Sequence, residues 1–97
     1  MIVSFRGDGT EDLFNGRNTP HARRACPRQL WGVARRKLDL LDSAATLGDL
    51  AVPPGNRLER LGGDRSGQFS IRVNDQFRIC FIWTAAGPDQ VEVTDYH

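Results

Sequence analysis

The sequence predicts an α+β domain in which a twisted, mainly antiparallel sheet packs on one face against two helices from the first half of the chain. Two observations support this fold class. An apolar stripe at helical spacing lies in the first half, and the second half consists of segments in which apolar and polar residues alternate between turn residues. A chain of 97 residues can form one hydrophobic core, so we expect a single domain over residues 1–97.

The N-terminal residues predict a short strand followed by a short helix. Residues 2–5 are mostly apolar and favour a strand. Asp8 or Thr10 can cap a helix that runs through Phe14, and Gly16 supplies its end. We therefore expect one strand and one helical turn or two before the first long polar stretch.

A polar loop and the main helix are predicted next. Residues 17–27 contain two prolines and favour a loop. The basic residues in this loop and directly after it form either a contact patch or a solvated surface: His21, Arg23, Arg24 and Arg28. Pro27 fits the first turn of a helix from Arg28 to about Ala45. The apolar stripe of this helix faces the core and comprises Leu30, Val33, Ala34, Leu38 and Leu41.

Four strands are predicted in the second half of the chain, at residues 57–61, 69–73, 77–83 and 91–94. The glycine-rich stretch 62–67 predicts a long hairpin connection, Asn74-Asp75 a tight turn, and residues 85–89 a further turn. Alternation assigns one side of the central strands to the core, namely Phe69, Ile71, Val73, Phe77, Ile79, Phe81 and Trp83. Arg72 and Arg78 then lie on the opposite side of adjacent strands.

The last predicted strand continues into Asp95, Tyr96 and His97. If this strand lies beside Arg78, an arginine, a phenol and an imidazole converge on one surface. This set suits phosphodiester cleavage by the 2′-hydroxyl of RNA, in which a base removes the hydroxyl proton, arginine stabilises the phosphorane and an acid protonates the leaving oxygen. The alternative is that Arg72 and Arg78 only solubilise a half-exposed sheet.

Composition narrows the class of protein. Apolar residues make up 39% and charged residues 26% of the chain, as in ordinary globular proteins, and no apolar run approaches the length of a membrane span. The N-terminus lacks the pattern of a secretion signal, so we expect a cytoplasmic protein that does not associate with membranes. Cys26 and Cys80 indicate neither a zinc site nor a disulfide framework, and we expect no metal or other cofactor.

Several stretches together closely resemble the HigB branch of the RelE/ParE toxin superfamily. The most specific are residues 56–58, the run from Leu61 to Phe81 that contains Gly-Asp-Arg-Ser-Gly-Gln-Phe-Ser-Ile-Arg-Val-Asn-Asp-Gln-Phe-Arg, and the triplet Asp95-Tyr96-His97. Residues 1–5 and 52–58 also fit. The similarity covers nearly the whole chain and is loosest over residues 17–27.

The resemblance implies a RelE-like fold and a type II toxin–antitoxin toxin that enters the ribosomal A site and cuts mRNA without a metal. It also implies a HigA-type helix-turn-helix antitoxin as partner, the 70S ribosome and mRNA as targets, and binding to operator DNA only through the antitoxin complex. Residue by residue, Arg78 matches the phosphate-stabilising arginine, and Asp95, Tyr96 and His97 match the terminal active-site residues. Which terminal residue is base and which is acid stays open.

One departure from the family pattern concerns phosphate binding. Many members carry lysine where this chain has Gly62, and some carry histidine where it has Glu59. Arg60 or Arg65 can take over the missing contact, and with Arg72 they are the candidate RNA-binding residues. A weakened toxin is therefore expected, and the alternative is a protein that mainly binds the antitoxin as a co-repressor. A gyrase poison on the same fold is a third, less favoured hypothesis.

Overall fold

A computed structural model of the chain describes residues 1–95. Three α-helices occupy the first half of the chain: α1 (Asp8–Phe14), α2 (Pro20–Ala25) and α3 (Trp31–Ser43). Four strands occupy the second half: β1 (Glu59–Arg60), β2 (Phe69–Arg72), β3 (Phe77–Thr84) and β4 (Gly87–Asp95). The predicted α+β class is confirmed.

The four strands form one antiparallel sheet in the order β1-β2-β3-β4. The N-terminal segment runs beside the outer edge of β4, in parallel with it. Val3 donates its backbone N–H to the carbonyl of Pro88 at 2.7 Å, and Val91 donates to the carbonyl of Ser4 at 3.0 Å. The predicted first strand is therefore present only as a parallel bridge between Phe5 and Val91.

The prediction of two helices was incomplete, because α2 lies within the stretch predicted to be a loop. Pro20 stands at its first turn, where proline lacks only an N–H that has no partner in the helix, and is thus compatible with a helix. Thr19 caps α2: its Oγ1 accepts from the N–H of Ala22 at 3.1 Å and donates to Asp12 at 2.7 Å. These two polar contacts fix α2 against α1.

The capping prediction for α1 was also wrong. Gly7 is the N-cap residue, and Thr10 lies inside the helix. The Thr10 side chain is buried, and its Oγ1 accepts the backbone N–H of Val93 at 3.0 Å. Thr10 therefore joins α1 to β4 rather than ending the helix.

The core lies between α3 and one side of the sheet. The main helix begins at Trp31 after a 3₁₀ turn (Arg28–Leu30), slightly later than predicted, and ends at Ser43. Its predicted stripe packs against the predicted apolar side of the strands, as the buried cluster shows: Ala34, Leu38, Leu41, Ile71, Val73, Ile79, Phe81, Val91 and Val93. This packing leaves the other side of the sheet for polar side chains.

Two strands, β1 and β4, differ most from the predicted bounds. β1 is shorter because Arg57 adopts a left-handed backbone conformation (φ 47°), which a strand residue does not. β4 begins at Gly87, so Pro88 lies in the strand opposite Trp83 rather than in a turn. The contact of Pro88 with the N-terminal segment uses its carbonyl, which proline retains.

Candidate active site on the arginine face of the sheet

The side of the sheet that faces away from α3 carries mostly polar residues in register. We call this side the arginine face, and its residues are Ser70, Arg72, Arg78, Cys80, Glu92 and Thr94. Arg72 on β2 is the Cα partner of Arg78 on β3, which in turn pairs with Thr94 on β4. The prediction that both arginines lie on the side of adjacent strands that faces away from the core is confirmed.

The guanidinium of Arg78 is held by two hydrogen bonds. Its Nε donates to Oγ of Ser70 at 2.7 Å, and its Nη2 donates to the backbone carbonyl of Arg57 at 2.6 Å. Only 13% of the Arg78 side chain is exposed. The remaining N–H donors thus have a fixed orientation, and planar guanidinium donors match the oxygens of a phosphate.

The carbonyl that binds Arg78 belongs to a loop that is anchored from within. Asn56 is fully buried, and its Nδ2 donates to the carbonyls of Leu50 and Val52. Its Oδ1 accepts from Nζ of Lys37 on α3. Because Arg57 follows directly after this anchor, the position of its carbonyl is set by buried contacts.

Glu59 is the acidic neighbour of Arg78. Its Oε1 lies 3.9 Å from Nη2 of Arg78, and 53% of its side chain is exposed. Glu59 shares the arginine face because its Cα partner is Ser70. The carboxylate therefore partly offsets the positive charge at the place where a phosphate would bind.

Arg65 forms a second cationic position at this face. Its Nη1 and Nη2 both lie 3.2 Å from Oε1 of Glu92, and Nη1 also donates to Oε1 of Gln68 at 3.1 Å. The Cys80 thiol on β3 lies within range of the charges of Arg65, Glu92 and Arg78. Cys80 is also the Cα partner of Glu92. Burial has the largest effect and raises the pKa of Cys80, so this residue behaves as a small apolar residue.

The other two candidate RNA-binding residues, Arg72 and Arg60, have different surroundings. Arg72 forms an ion pair with Asp75 in the β2–β3 turn. Arg60 pairs with Phe69 on the opposite side of the sheet, where its guanidinium carbon lies 5.6 Å from the ring centroid of Phe69. The structure therefore brings Arg65 and Arg72, but not Arg60, onto the arginine face.

Asp95 is the last residue of β4 and the Cα partner of Phe77. Its side chain is exposed, and its Oδ2 accepts from Nε2 of Gln76 at 2.8 Å. Tyr96 and His97, the two other terminal residues of the predicted site, lie outside the described residues. Their assignment stays a prediction.

Gly62 occupies the start of the β1–β2 connection in an extended conformation (φ −123°). A Cβ atom built at this position would meet no atom within 4 Å. Neither the backbone nor the space thus requires glycine here, in contrast to Gly63 and Gly67, whose φ angles are 58° and 91°. A longer side chain at position 62 would extend into solvent.

Among residues 1–95, no group of three or more histidine, cysteine, aspartate or glutamate side chains is arranged to hold a metal ion. The helices of this part of the chain are also too short or too polar to cross a membrane.

Comparison with known proteins assigns the family. The family model for the RelE-like toxin HigB of type II toxin–antitoxin systems matches residues 3–97. The chain belongs to the HigB-like toxin family. Toxin HigB-1 of Vibrio cholerae is 47% identical over 83 residues, which are 86% of this chain and 84% of that protein. An uncharacterized protein of Haemophilus influenzae is 40% identical over 55 residues, which are 57% of this chain and 54% of that protein.

Membership in this family confirms the resemblance found in the sequence, including the RelE-like fold. As a HigB-like toxin of a type II system, the protein has an antitoxin as partner.

Sequence reasoning missed Ser70 and the Arg57 carbonyl as the groups that hold Arg78. Ser70 could have been found, because it lies two residues before Arg72 in an alternating strand and so shares its face.

Proposed function

We propose that this HigB-like toxin is a ribosome-dependent endoribonuclease that cleaves mRNA in the A site and so inhibits translation. The observation that carries the proposal is the fixed guanidinium of Arg78 on the arginine face. Its hydrogen bonds to Ser70 and to the Arg57 carbonyl hold the guanidinium in one orientation, and 13% of the side chain is exposed. A preorganised cation of this kind stabilises the extra negative charge that develops on a phosphorane.

In the proposed reaction, the 2′-hydroxyl of the RNA attacks the adjacent phosphorus as its proton is taken by a base. The bond to the 5′-oxygen of the next nucleotide breaks, and an acid protonates that oxygen. Products are a 2′,3′-cyclic phosphate and a 5′-hydroxyl, and no metal enters the balance. Tyr96 and His97 are assigned the proton transfers, and Asp95 the orientation of its neighbours, on the basis of the family resemblance.

The partners that complete this proposal are a HigA-type helix-turn-helix antitoxin and the 70S ribosome. Operator DNA is bound only through the toxin–antitoxin complex, and the toxin acts in the cytoplasm. The ribosome presents the mRNA in the A site, while the arginine face supplies the cationic surface. Arg65 and Arg72 contribute phosphate contacts beside Arg78.

A second candidate function is that of a weakened enzyme that mainly binds the antitoxin and supports repression. Two differences from the family pattern favour it. Gly62 provides no cation, and the Glu59 carboxylate lies 3.9 Å from Nη2 of Arg78. Absence of one charge-assisted hydrogen bond to phosphate costs about 1.5–3 kcal/mol, roughly tenfold to a hundredfold in rate. The two candidates differ in the rate of cleavage, not in the fold.

The proposal is tested with ribosomes programmed with an mRNA that carries a single 2′-deoxynucleotide at the cleavage position. We expect the wild-type toxin to cut the all-ribose mRNA to a 2′,3′-cyclic phosphate and to leave the 2′-deoxy mRNA intact. Cleavage of both mRNAs would contradict attack by the 2′-hydroxyl. If neither mRNA is cleaved at high toxin concentration, the result would favour the antitoxin-binding function.

A further inference from the structure

A cavity of about 250 Å³ lies at the edge of β4, next to the arginine face. Three elements contribute to its walls: Arg6 from the N-terminal segment, His21 and Arg24 from α2, and Glu92 and Val93 from β4. Two basic residues of the stretch that the sequence predicted to be a loop, His21 and Arg24, thus line a concave site. Nothing in the proposed cleavage reaction uses this cavity.

The charge of the cavity is positive. Arg6 and Arg24 are exposed, and neither forms an ion pair with an acidic side chain of residues 1–95. The acid in the wall, Glu92, already pairs with Arg65 at 3.2 Å. Two arginines without a carboxylate partner in a concave site favour an anion, and a phosphate offers oxygens that match their forked donors.

His21 is hydrogen-bonded to Arg24 in this wall. Nη2 of Arg24 lies 3.0 Å from Nδ1 of His21. Because a guanidinium can only donate, Nδ1 of His21 accepts this hydrogen bond. The contact thus orients Arg24 and His21 together.

The cavity is built by a close approach of α1 and α2. A Cβ atom on Gly9 would lie 2.5 Å from the carbonyl oxygen of His21 and 2.7 Å from Cβ of Ala25, so the helices could not pack this closely with a larger residue. The backbone of Arg6 is fixed on the other side of the cavity, since its backbone N–H donates to the carbonyl of Val91 at 3.0 Å. The basic walls are therefore held by packing and by the sheet edge.

The cavity continues the arginine face. Glu92 belongs to both, because its Cα partner is Cys80 on β3 and its side chain lines the cavity. The N-terminal segment that carries Arg6 lies beyond β4, two strand spacings from β3, or about 10 Å across the sheet. Cationic positions thus follow one another across the sheet from Arg78 through Arg65 to Arg6.

We propose that this cavity binds a second backbone phosphate of the RNA strand that lies over the arginine face, through Arg6, Arg24 and His21. The inference rests on the proposed function, because it extends the path of the same RNA. The subsite positions the strand and takes no part in bond cleavage. Its occupant is RNA rather than an acidic protein segment, since the cavity is continuous with the face that carries Arg78.

The experiment measures binding of a fluorescent 2′-O-methyl RNA oligonucleotide, which lacks the attacking hydroxyl, over a series of salt concentrations. The variants are Arg6→Ala/Arg24→Ala and the conservative Arg6→Lys/Arg24→Lys. A matched control, Arg35→Ala/Arg36→Ala, removes the same charge from the exposed surface of α3, outside the cavity. Circular dichroism verifies that each variant is folded.

We expect the cavity variant to bind the oligonucleotide about tenfold more weakly than the control. The slope of log affinity against log salt should fall by about 0.7 for each phosphate that the variant no longer neutralises. The lysine variant should retain the slope but not the full affinity, because it keeps the charge without the fork. Equal affinity and slope in the cavity variant and the control would overturn the proposal.

Weaker binding of the antitoxin with unchanged RNA affinity would assign the cavity to an acidic protein segment and would also overturn the proposal. The proposed cleavage function is judged separately. Because the oligonucleotide cannot be cleaved, its binding does not depend on catalysis, and loss of mRNA cleavage in Arg78→Ala tests the catalytic site alone. The two failures are therefore distinguishable.

Discussion

The Nε atom of Arg78 on β3 donates to the buried Oγ of Ser70 on β2 at 2.7 Å. This cross-strand bond links the only buried hydroxyl-bearing side chain of the described β-strands to the cation of the proposed site. Together with the Arg57 carbonyl, it fixes the plane of the guanidinium. We therefore infer that the orientation of Arg78, as well as its charge, determines the rate of cleavage.

Replacement of Ser70 by alanine should impair cleavage by releasing Nε of Arg78. A buried hydrogen bond to a charged group contributes about 1.5–3 kcal/mol, so we expect the single-turnover rate on programmed ribosomes to fall roughly tenfold or more. Ser66→Ala is the matched control, because Ser66 is exposed and lies in the β1–β2 connection. An unchanged rate in Ser70→Ala would show that Arg78 does not need this contact.

A lysine at position 62 should raise the activity of the toxin. The Cβ of Gly62→Lys enters open space from an extended backbone, so the substitution adds a cation without strain. We expect mRNA cleavage to increase by about tenfold to a hundredfold if the ammonium reaches the phosphate in the transition state. Gly62→Gln serves as the uncharged control, and no change or a fall in Gly62→Lys would remove this explanation.

Removal of the Glu59 charge should also raise activity, but by less. Its carboxylate lies 3.9 Å from Nη2 of Arg78 and is half exposed, so the interaction contributes about 1 kcal/mol or less. In Glu59→Gln we expect cleavage to rise up to about fivefold, with Glu11→Gln on the exposed side of α1 as control. A large fall in Glu59→Gln would instead indicate that Glu59 positions Arg78 or transfers a proton.

The buried thiol of Cys26 should make the fold sensitive to alkaline pH. Burial raises the pKa of Cys26 to about 11, whereas an unfolded cysteine ionises near 8.5. The unfolded state therefore loses a proton at lower pH than the folded state, and the free energy of unfolding should decrease from about pH 8.5 to pH 11, by about 2–3 kcal/mol at most. Below pH 8.5 this contribution is fully present.

Urea unfolding in the presence of a reductant, at pH 8 and at pH 10.5, measures this effect. Cys26→Ala should lose part of the pH dependence, while Cys80, whose pKa burial also raises, should sustain the rest. A Cys26→Ala protein with the same decrease as the wild type would show that other groups cause the alkaline destabilisation.

The sequence predicted the parts of the fold that depend on periodicity. The stripe of α3 and the alternation of β2 and β3 follow from side chains that must face one core, and the same alternation assigns Arg72 and Arg78 to the other side of the sheet. Helix α2 was missed because Pro20 reads as a helix breaker unless its position in the first turn is known.

The candidate site was less accessible to sequence reasoning than the fold. Alternation assigned Arg78 to the correct face, but the acceptor for its Nη2 is a main-chain carbonyl at Arg57, 21 positions earlier, which no side-chain pattern marks. Arg60 and Arg65 were equal candidates in the sequence. The register separates them, since Arg60 pairs with Phe69 on the core side, while Arg65 reaches Glu92.

The central claim is that this HigB-like toxin cuts mRNA with Arg78 and the terminal residues. The most direct measurement compares induced expression of the wild type with His97→Ala, Arg78→Ala and the exposed-helix control Arg36→Ala, scoring growth and mapping mRNA 5′ ends. For the wild type we expect growth arrest with mRNA cuts in phase with codons. Both should be lost in His97→Ala and Arg78→Ala and retained in Arg36→Ala. Growth arrest that persists in Arg78→Ala and His97→Ala without mRNA cuts would contradict it.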